Sequence, residues 1–308
     1  MLGLEIMDLF RAMPGSVAQG LIWGIMAIGV YITFRILDFA DLTVDGSLGL
    51  GGAVAVMLIL AGFPPYLVLI ISFISGLLAG LVTGLLHTLL GIPDILAGIL
   101  TQIALYSVNL NIMGKANQAV SVDRFDLVVS LRYISQAIVV GAIILIVIIA
   151  LLYWFFGTEQ GFTIRATGCN QEMARAQGIS TNKAKVVGLA LGNGLVGLSG
   201  ALVAQYSGNA DVNMGRGAIV IGLAAVIIGE VIGNAVFRKR MNFALKLFFA
   251  AMGAVIYYLV ITFVLWIGLS SQNLKLFSAI VVAVFLAVPY LKSKYSTSFM
   301  KAAKKGAE

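Results

Sequence analysis

Long apolar segments recur along this 308-residue chain, and they constrain its fold more than any other feature. A helix that crosses a lipid bilayer needs about 20 mostly apolar residues. Charged residues make up only 11% of the chain, whereas a soluble domain carries roughly 25%. This composition excludes a cytosolic enzyme, a nucleic-acid-binding protein and a disordered chain. The sequence therefore predicts an all-α, polytopic integral membrane protein surrounded by lipid. The predicted spans cover residues 14–35, 47–62, 65–87, 93–113, 134–156, 182–207, 217–237, 243–268 and 276–291.

The second of these spans has an unusual start. Residues 40–52 combine Asp41 and Asp45 with four glycines in an otherwise apolar stretch, which favours a broken or re-entrant segment. Irregular backbone at membrane depth needs protein or a water-filled path around it. We therefore expect a substrate path near residues 38–52, with Asp45 as one candidate lining residue.

Polar residues also interrupt the fourth span. Gln102, Tyr106 and Asn109 are spaced by four and three residues, so they share one helix face, and Asn111 follows them. A polar stripe in a membrane must face protein or water. Two interpretations stay open: the stripe lines a substrate path, or it forms hydrogen bonds between helices.

Glu230 is a carboxylate well inside the seventh predicted span. An ionisable residue within a membrane is by default a candidate for function, which makes Glu230 a candidate for the substrate path. Residues 238–240 are all basic and lie about two turns further along the chain. Glu230 is therefore also expected to reach towards that basic end of the span.

The distribution of Lys and Arg predicts the orientation of the chain. If the loop 157–181 is cytoplasmic, 14 basic residues lie on its side of the membrane and 6 on the other. Basic residues collect on the cytoplasmic side, so we expect a cell-membrane protein with its C-terminus in the cytoplasm. The predicted parts are an interfacial segment at 1–13, a transmembrane domain at 14–291 and a basic tail at 292–308.

The sequence motifs of enzymes and metal sites are missing. The chain has no GxxxxGK[ST] phosphate-binding loop and no HExxH motif. Its single cysteine, Cys169, and single histidine, His87, argue against a disulfide framework and a metal site. We predict that the chain is not an enzyme and binds no cofactor or metal of its own.

The loop 157–181 contains a predicted short helix at about 170–178. Asn170 is a favourable N-cap, Glu172 suits the positive helix start, and Gly178 is a natural terminator. Such a short helix, placed between two spans, has no lipid to cross, so it is suited to contact a cytoplasmic partner. Its alanines would let the partner approach closely, and its charged residues would form ion pairs at the edge of the contact. An ordinary loop with one helical turn is the alternative. The candidate contact residues are Asn170, Glu172, Ala174, Arg175 and Gly178.

Three stretches resemble the permease subunits of type II ABC importers of the branched-chain amino acid and ribose type. Residues 161–170 (GFTIRATGCN), followed by Ala174-Arg175 and Gly178-Ile179, look like the coupling-helix segment of that family. The glycine-rich residues 183–205 look like the helix after it, and Asp41-Leu42-Thr43-Val44 with Gly46-Ser47 resembles a D-L-S-V-G-S stretch. The likeness covers about residues 14–290.

This resemblance implies a set of partners. The chain is expected to pair with a second permease copy as a homodimer, to bind two cytoplasmic ATPase subunits that hold ATP and Mg, and to receive substrate from an extracytoplasmic solute-binding protein. The overall pattern is similar to single-permease systems, some of which import tryptophan or tyrosine. Two positions depart from the family pattern: Asp45 stands between Val44 and Gly46, and a glycine pair is replaced by Gly229-Glu230.

Two other functions remain as alternatives. An ion-coupled secondary transporter would need intramembrane carboxylates placed to bind an ion, and only Glu230 and Asp45 suit that role. Such transporters often carry inverted repeats, and none is visible in the sequence. A membrane scaffold without transport activity is the second alternative, and its role would persist without the partner proteins.

Overall fold

The computed structural model describes residues 6–237, 241–267, 276–280, 282–284 and 287, and most of them are helical. Within these residues, eight helices are long and apolar enough to cross a membrane. This confirms the predicted all-α, polytopic architecture, while much of the predicted ninth span, 276–291, lies outside the described residues. The elements follow the order α1 (Ile6–Val30), a π-helical turn (Tyr31–Ile36), α2 (Thr43–Leu60), α3 (Pro65–Leu90), α4 (Asp94–Met113), β1 (Asn117–Ala119), α5 (Ile134–Phe155), α6 (Glu159–Cys169), α7 (Gln171–Ala176), α8 (Thr181–Ser207), β2 (Asn209–Asp211), α9 (Ala218–Phe237) and α10 (Phe243–Trp266).

Several boundaries differ from the sequence-based expectation. Helix α1 begins at Ile6 and continues through Pro14, so residues 6–13 are the first turns of this helix and not a separate segment. The expected break within residues 40–52 is wrong for most of that stretch, because α2 is an unbroken helix from Thr43. The irregular backbone lies just before it, at residues 37–42, where no regular helix forms.

Small residues hold the centre of the bundle together. Gly76, Gly80 and Gly84 of α3 face α8, and a β-carbon on Gly80 would clash with the carbonyl oxygen of Leu189. Helices can approach this closely only where side chains are absent, which supplies contact area in a lipid environment. Gly192 of α8 packs in the same way against Gly29 of α1 and Thr33 of the π-helical turn. The glycines of α8 therefore allow close contact with α1 and α3.

The connections between helices lie on two sides of the bundle. On one side, β1 and β2 form an antiparallel pair that joins the loops 114–133 and 208–217, and we call this the ribbon side. We call the other side, where α7 lies, the α7 side. There His87 Nε2, at the end of α3, lies 3.0 Å from Lys185 Nζ, at the start of α8. Which of the two sides faces the cytoplasm stays the prediction made from the basic residues.

Candidate functional site

The irregular segment 37–42 folds back into the bundle. Asp41 is only 2% exposed, and its carboxylate accepts hydrogen bonds from the Thr43 backbone N–H at 2.9 Å and from Asn193 Nδ2 at 2.6 Å. Asn193 lies near the middle of α8 and in turn accepts a hydrogen bond from Ser47 Oγ at 2.6 Å. Helix α2 therefore starts deep inside the protein, where other helices shield the unwound backbone.

The segment 208–217, which contains β2 and the turns before α9, also folds inward, from the ribbon side. A β-carbon on Gly215 would clash with the carbonyl oxygen of Asp45, and one on Gly222 would clash with Val30 and contact Met26, in the last turns of α1. Helix α9 consequently begins within the bundle. The unwound entries to α2 and α9 meet at Asp45.

Asp45 caps the N-terminus of α9 from the neighbouring helix. Its Oδ2 accepts a hydrogen bond from the Gly217 N–H and its Oδ1 accepts one from the Ile219 N–H, both at 2.9 Å. The first N–H groups of a helix have no partner within the helix, and the helix dipole favours a negative charge there. Asp45 therefore joins α2 to α9 and holds a carboxylate at the point where they meet.

A polar cleft of about 290 Å³ opens beside this junction. Gln102, Tyr106 and Asn109 of α4 form one wall, and Asp45 with the 208–217 segment forms the other. Because the cleft is open on the surface of a single chain, its polar groups require water or another protein as a neighbour. The lining residues are Asp45, Gly46, Gln102, Ile103, Tyr106, Ser107, Asn109, Val212 and Arg216.

Asn109 has an unpaired polar atom in this wall. Its side chain is 1% exposed, its Nδ2 donates a hydrogen bond to the Gly46 carbonyl at 3.4 Å, and its Oδ1 has no partner. Buried side-chain oxygens and nitrogens are nearly always hydrogen-bonded, and each exception calls for an explanation. A ligand in the cleft would supply the missing donor.

Two of the residues predicted for the substrate path do not line this cleft. Asn111 is exposed near the end of α4 on the ribbon side and does not line the cleft. Glu230 forms an ion pair with Arg35 of the π-helical turn and lines a different pocket of about 250 Å³. The expected approach of Glu230 to residues 238–240 lies outside the described residues. Glu230 is thus separated from the Asp45 junction.

The predicted short helix has the capping residues expected from the sequence. The Asn170 side chain accepts a hydrogen bond from the Met173 N–H at 2.9 Å, and Gly178 adopts a φ of +80° just after α7. Glu172 and Arg175 are exposed, and Arg175 Nε donates a hydrogen bond to Thr181 Oγ1 at 2.9 Å. Helix α7 is therefore a rigid projection on its side of the bundle.

The expected contact surface of α7 needs one correction. Ala174 is only 4% exposed, because it faces the bundle, so it cannot offer close approach to a partner. Met173 beside it is 64% exposed, and an apolar side chain of this size is suited to insert into a pocket on another protein. The sequence did not indicate Met173, because packing against the bundle decides which side of so short a helix faces outward.

Helix α6 was also missed, since the whole of 157–170 was expected to be loop. Its signals were present: Thr158 Oγ1 accepts a hydrogen bond from the Gly161 N–H, and Glu159 stands in the first turn. At its other end, a β-carbon on Gly168 would clash with the Ile36 carbonyl oxygen. Helix α6 thereby connects α7 directly to the beginning of the irregular segment 37–42.

The family of the chain follows from its sequence. A family profile described as the permease component of the branched-chain amino acid transport system matches residues 13–289. The chain belongs to this permease family. The match confirms the resemblance found in the sequence, and the permease is the membrane-spanning component of an ABC-type import system.

Individual relatives cover most of the permease. It is 38% identical over 269 residues to the "Tyrosine transport system permease protein" of Clostridioides difficile. The aligned region covers 87% of this chain and 88% of the relative. It is 34% identical over 279 residues to the uncharacterized protein RP368 of Rickettsia prowazekii, spanning 88% and 95%. Identity to the ribose import permease protein RbsC of Haemophilus influenzae is 28% over 209 residues, or 66% and 64% of the two chains. No solved structure is significantly similar to the permease.

Proposed function

We propose that the permease imports an aromatic amino acid, tyrosine or tryptophan, across the cell membrane, and that the substrate passes between two copies of the chain. Two cytoplasmic ATPase subunits, which hold ATP and Mg, drive this import, and an extracytoplasmic binding protein delivers the substrate. The permease itself catalyses no reaction. The similarity to a tyrosine transport permease supports this choice of substrate.

The open polar cleft is the observation that carries the proposal. Helices α4 and α5 are poorly covered by the rest of the chain. In the most apolar part of each, the buried share is only 28% for α4 and 22% for α5. Lipid can cover the apolar residues of α5, but it cannot pair with Gln102, Tyr106 and Ser107 on α4. A second copy of the permease at this face would enclose the cleft and leave a water-filled path between the two chains.

Helix α7 is the proposed contact with the ATPase subunits. Movement of the ATPase subunits would shift α7 and α6 together, and Gly168 would pass this movement to Ile36 and the segment 37–42. That segment ends at the start of α2, next to Asp45 and the cleft. Binding energy from ATP changes access to the cleft only if the ATPase subunits contact α7 differently in the two states.

Replacement of cleft residues tests this function. Tyr106→Leu and Asn109→Leu should lower import into proteoliposomes about tenfold or more, because each removes a side chain with a polar group from the proposed path. The ATPase subunits should still co-purify, since α4 does not form the α7 contact. Tyr66→Leu is the matched control, because Tyr66 is an exposed tyrosine at the start of α3 and lies outside the cleft. Normal import by both cleft variants would place the path elsewhere.

An ion-coupled secondary transporter is the alternative mechanism. Two of the carboxylates within the helical bundle are paired inside the chain: Asp41 accepts a hydrogen bond from Asn193, and Glu230 forms an ion pair with Arg35. Import by the complete complex should therefore stop when vesicles are depleted of ATP and persist when an uncoupler collapses the ion gradients. The opposite result would favour the secondary transporter.

A further inference from the structure

We infer that the cleft binds its substrate as a zwitterion, with Arg216 contacting the carboxylate and Asn109 with Asp45 contacting the ammonium group. This inference rests on the proposed function and assigns a role to individual residues of the same cleft.

The ammonium end of the site lies at the Asp45 junction. An ammonium group has three donors and no acceptor, and the Oδ1 of Asn109 is a buried acceptor without a partner. Asp45 adds a negative charge to the same part of the cleft. Each of its oxygens accepts one backbone N–H of α9, and a carboxylate oxygen can accept a further hydrogen bond.

The carboxylate end lies at Arg216. Its side chain is exposed and lines the cleft, and within the described residues it forms no ion pair. A guanidinium group binds a carboxylate through two parallel hydrogen bonds, so a free arginine in a polar cleft matches this group well. The Arg216 backbone N–H donates to the Asn213 carbonyl at 3.0 Å, and the next residue, Gly217, is held by Asp45. These contacts fix the segment that carries Arg216.

The rest of the cleft wall suits an aromatic side chain. Tyr106 and Ile103 of α4 line the cleft and are both exposed to it. Aromatic rings pack favourably against one another in offset or edge-to-face arrangements. A bound amino acid could therefore place its ring against Tyr106 while its two charges reach Arg216 and Asn109.

Binding of three related molecules separates the two charged contacts. The assay measures displacement of radiolabelled L-tyrosine from the purified permease–ATPase complex without the binding protein. The competitors are tyramine, which lacks the carboxylate, and 3-(4-hydroxyphenyl)propionate, which lacks the amine. The wild-type complex should bind L-tyrosine about tenfold or more tightly than either competitor, since contacts to charged groups have this magnitude.

Each variant should lose one part of this selectivity. Arg216→Gln should bind L-tyrosine only as well as tyramine, and Asn109→Leu should bind it only as well as the propionate. Arg216→Lys should be intermediate, because it keeps the charge without the paired hydrogen bonds. Arg124→Gln is the control: it removes an exposed arginine of the ribbon side that does not line the cleft, and it should behave like the wild type.

The outcomes distinguish the inference from the proposed function. Import of L-tyrosine by the wild-type complex, combined with unchanged selectivity in Arg216→Gln and Arg216→Lys, overturns the inference alone. Absence of L-tyrosine binding in a complex that imports it overturns the inference as well. Absence of L-tyrosine import overturns the proposed substrate. Co-purification of the ATPase subunits verifies that each variant has folded.

Discussion

At the residue scale, Asp45 joins two helices that are far apart in the sequence. Its carboxylate supplies acceptors to N–H groups of α9 that are 172 and 174 positions away. In the comparison with the family motif this residue looked like an insertion. In the structure it is the group that fixes where α9 begins, at the edge of the cleft.

Replacing Asp45 should therefore destabilise the permease. Asp45→Ala leaves the N-terminal N–H groups of α9 unpaired, at a cost of about 1–2 kcal/mol, while Asp45→Asn keeps one acceptor and costs less. Thermal unfolding of the purified complex measures the difference. Asp126→Ala, which removes an exposed carboxylate from the loop 114–133, is the control. Equal unfolding temperatures for wild type and Asp45→Ala would show that the cap contributes nothing to stability.

At the scale of single elements, α7 is the projection from the bundle with the clearest partner surface. Its ends are fixed by Asn170 and Gly178, and its inward face by Ala174, so Met173 points away from the chain. Full burial of a methionine side chain contributes about 1.5–3 kcal/mol.

Met173→Asp should therefore weaken the binding of the ATPase subunits by about tenfold or more, because it replaces apolar contact with a charge that must be desolvated. The measurement is the amount of ATPase subunit that co-purifies with the permease as the subunit is diluted. Met7→Asp provides a matched control, since Met7 is 61% exposed and Met173 64%, but Met7 lies at the start of α1. If Met173→Asp retains its ATPase subunits, α7 is not the contact.

At the scale of the whole molecule, the orientation of the permease is a prediction that its own cysteine can test. Cys169 is exposed at the end of α6, on the predicted cytoplasmic side. In permease expressed without its ATPase subunits, an impermeant maleimide should label Cys169 in inverted vesicles and leave it unmodified in intact cells.

A cysteine on the ribbon side should give the reverse pattern. Lys115→Cys, introduced with Cys169→Ser, places the thiol in the loop 114–133, which β1 and β2 join to the loop 208–217 on the predicted outer side. The reagent should then reach it in intact cells. Labelling of Cys169 from outside the cell would invert the whole predicted topology.

Features that depend on neighbouring residues could be predicted from the sequence alone. The apolar segments gave the spans, because about 20 apolar residues are needed to cross a bilayer wherever they occur. Asn170 and Gly178 marked the ends of α7, since caps act on the adjacent helix turn. The spacing of Gln102, Tyr106 and Asn109 placed them on one face for the same local reason.

Which polar groups meet could not be predicted, because it depends on how the helices pack. Asp45 was expected within a broken span, but it caps α9. Glu230 was a candidate for the path, but it pairs with Arg35, which is 195 positions away. Arg216 carried no sequence signal beyond its charge, and it became part of the cleft because the segment 208–217 folds into the bundle. Hydrogen bonds and ion pairs between helices depend on how the helices pack, and one-dimensional spacing does not contain that information.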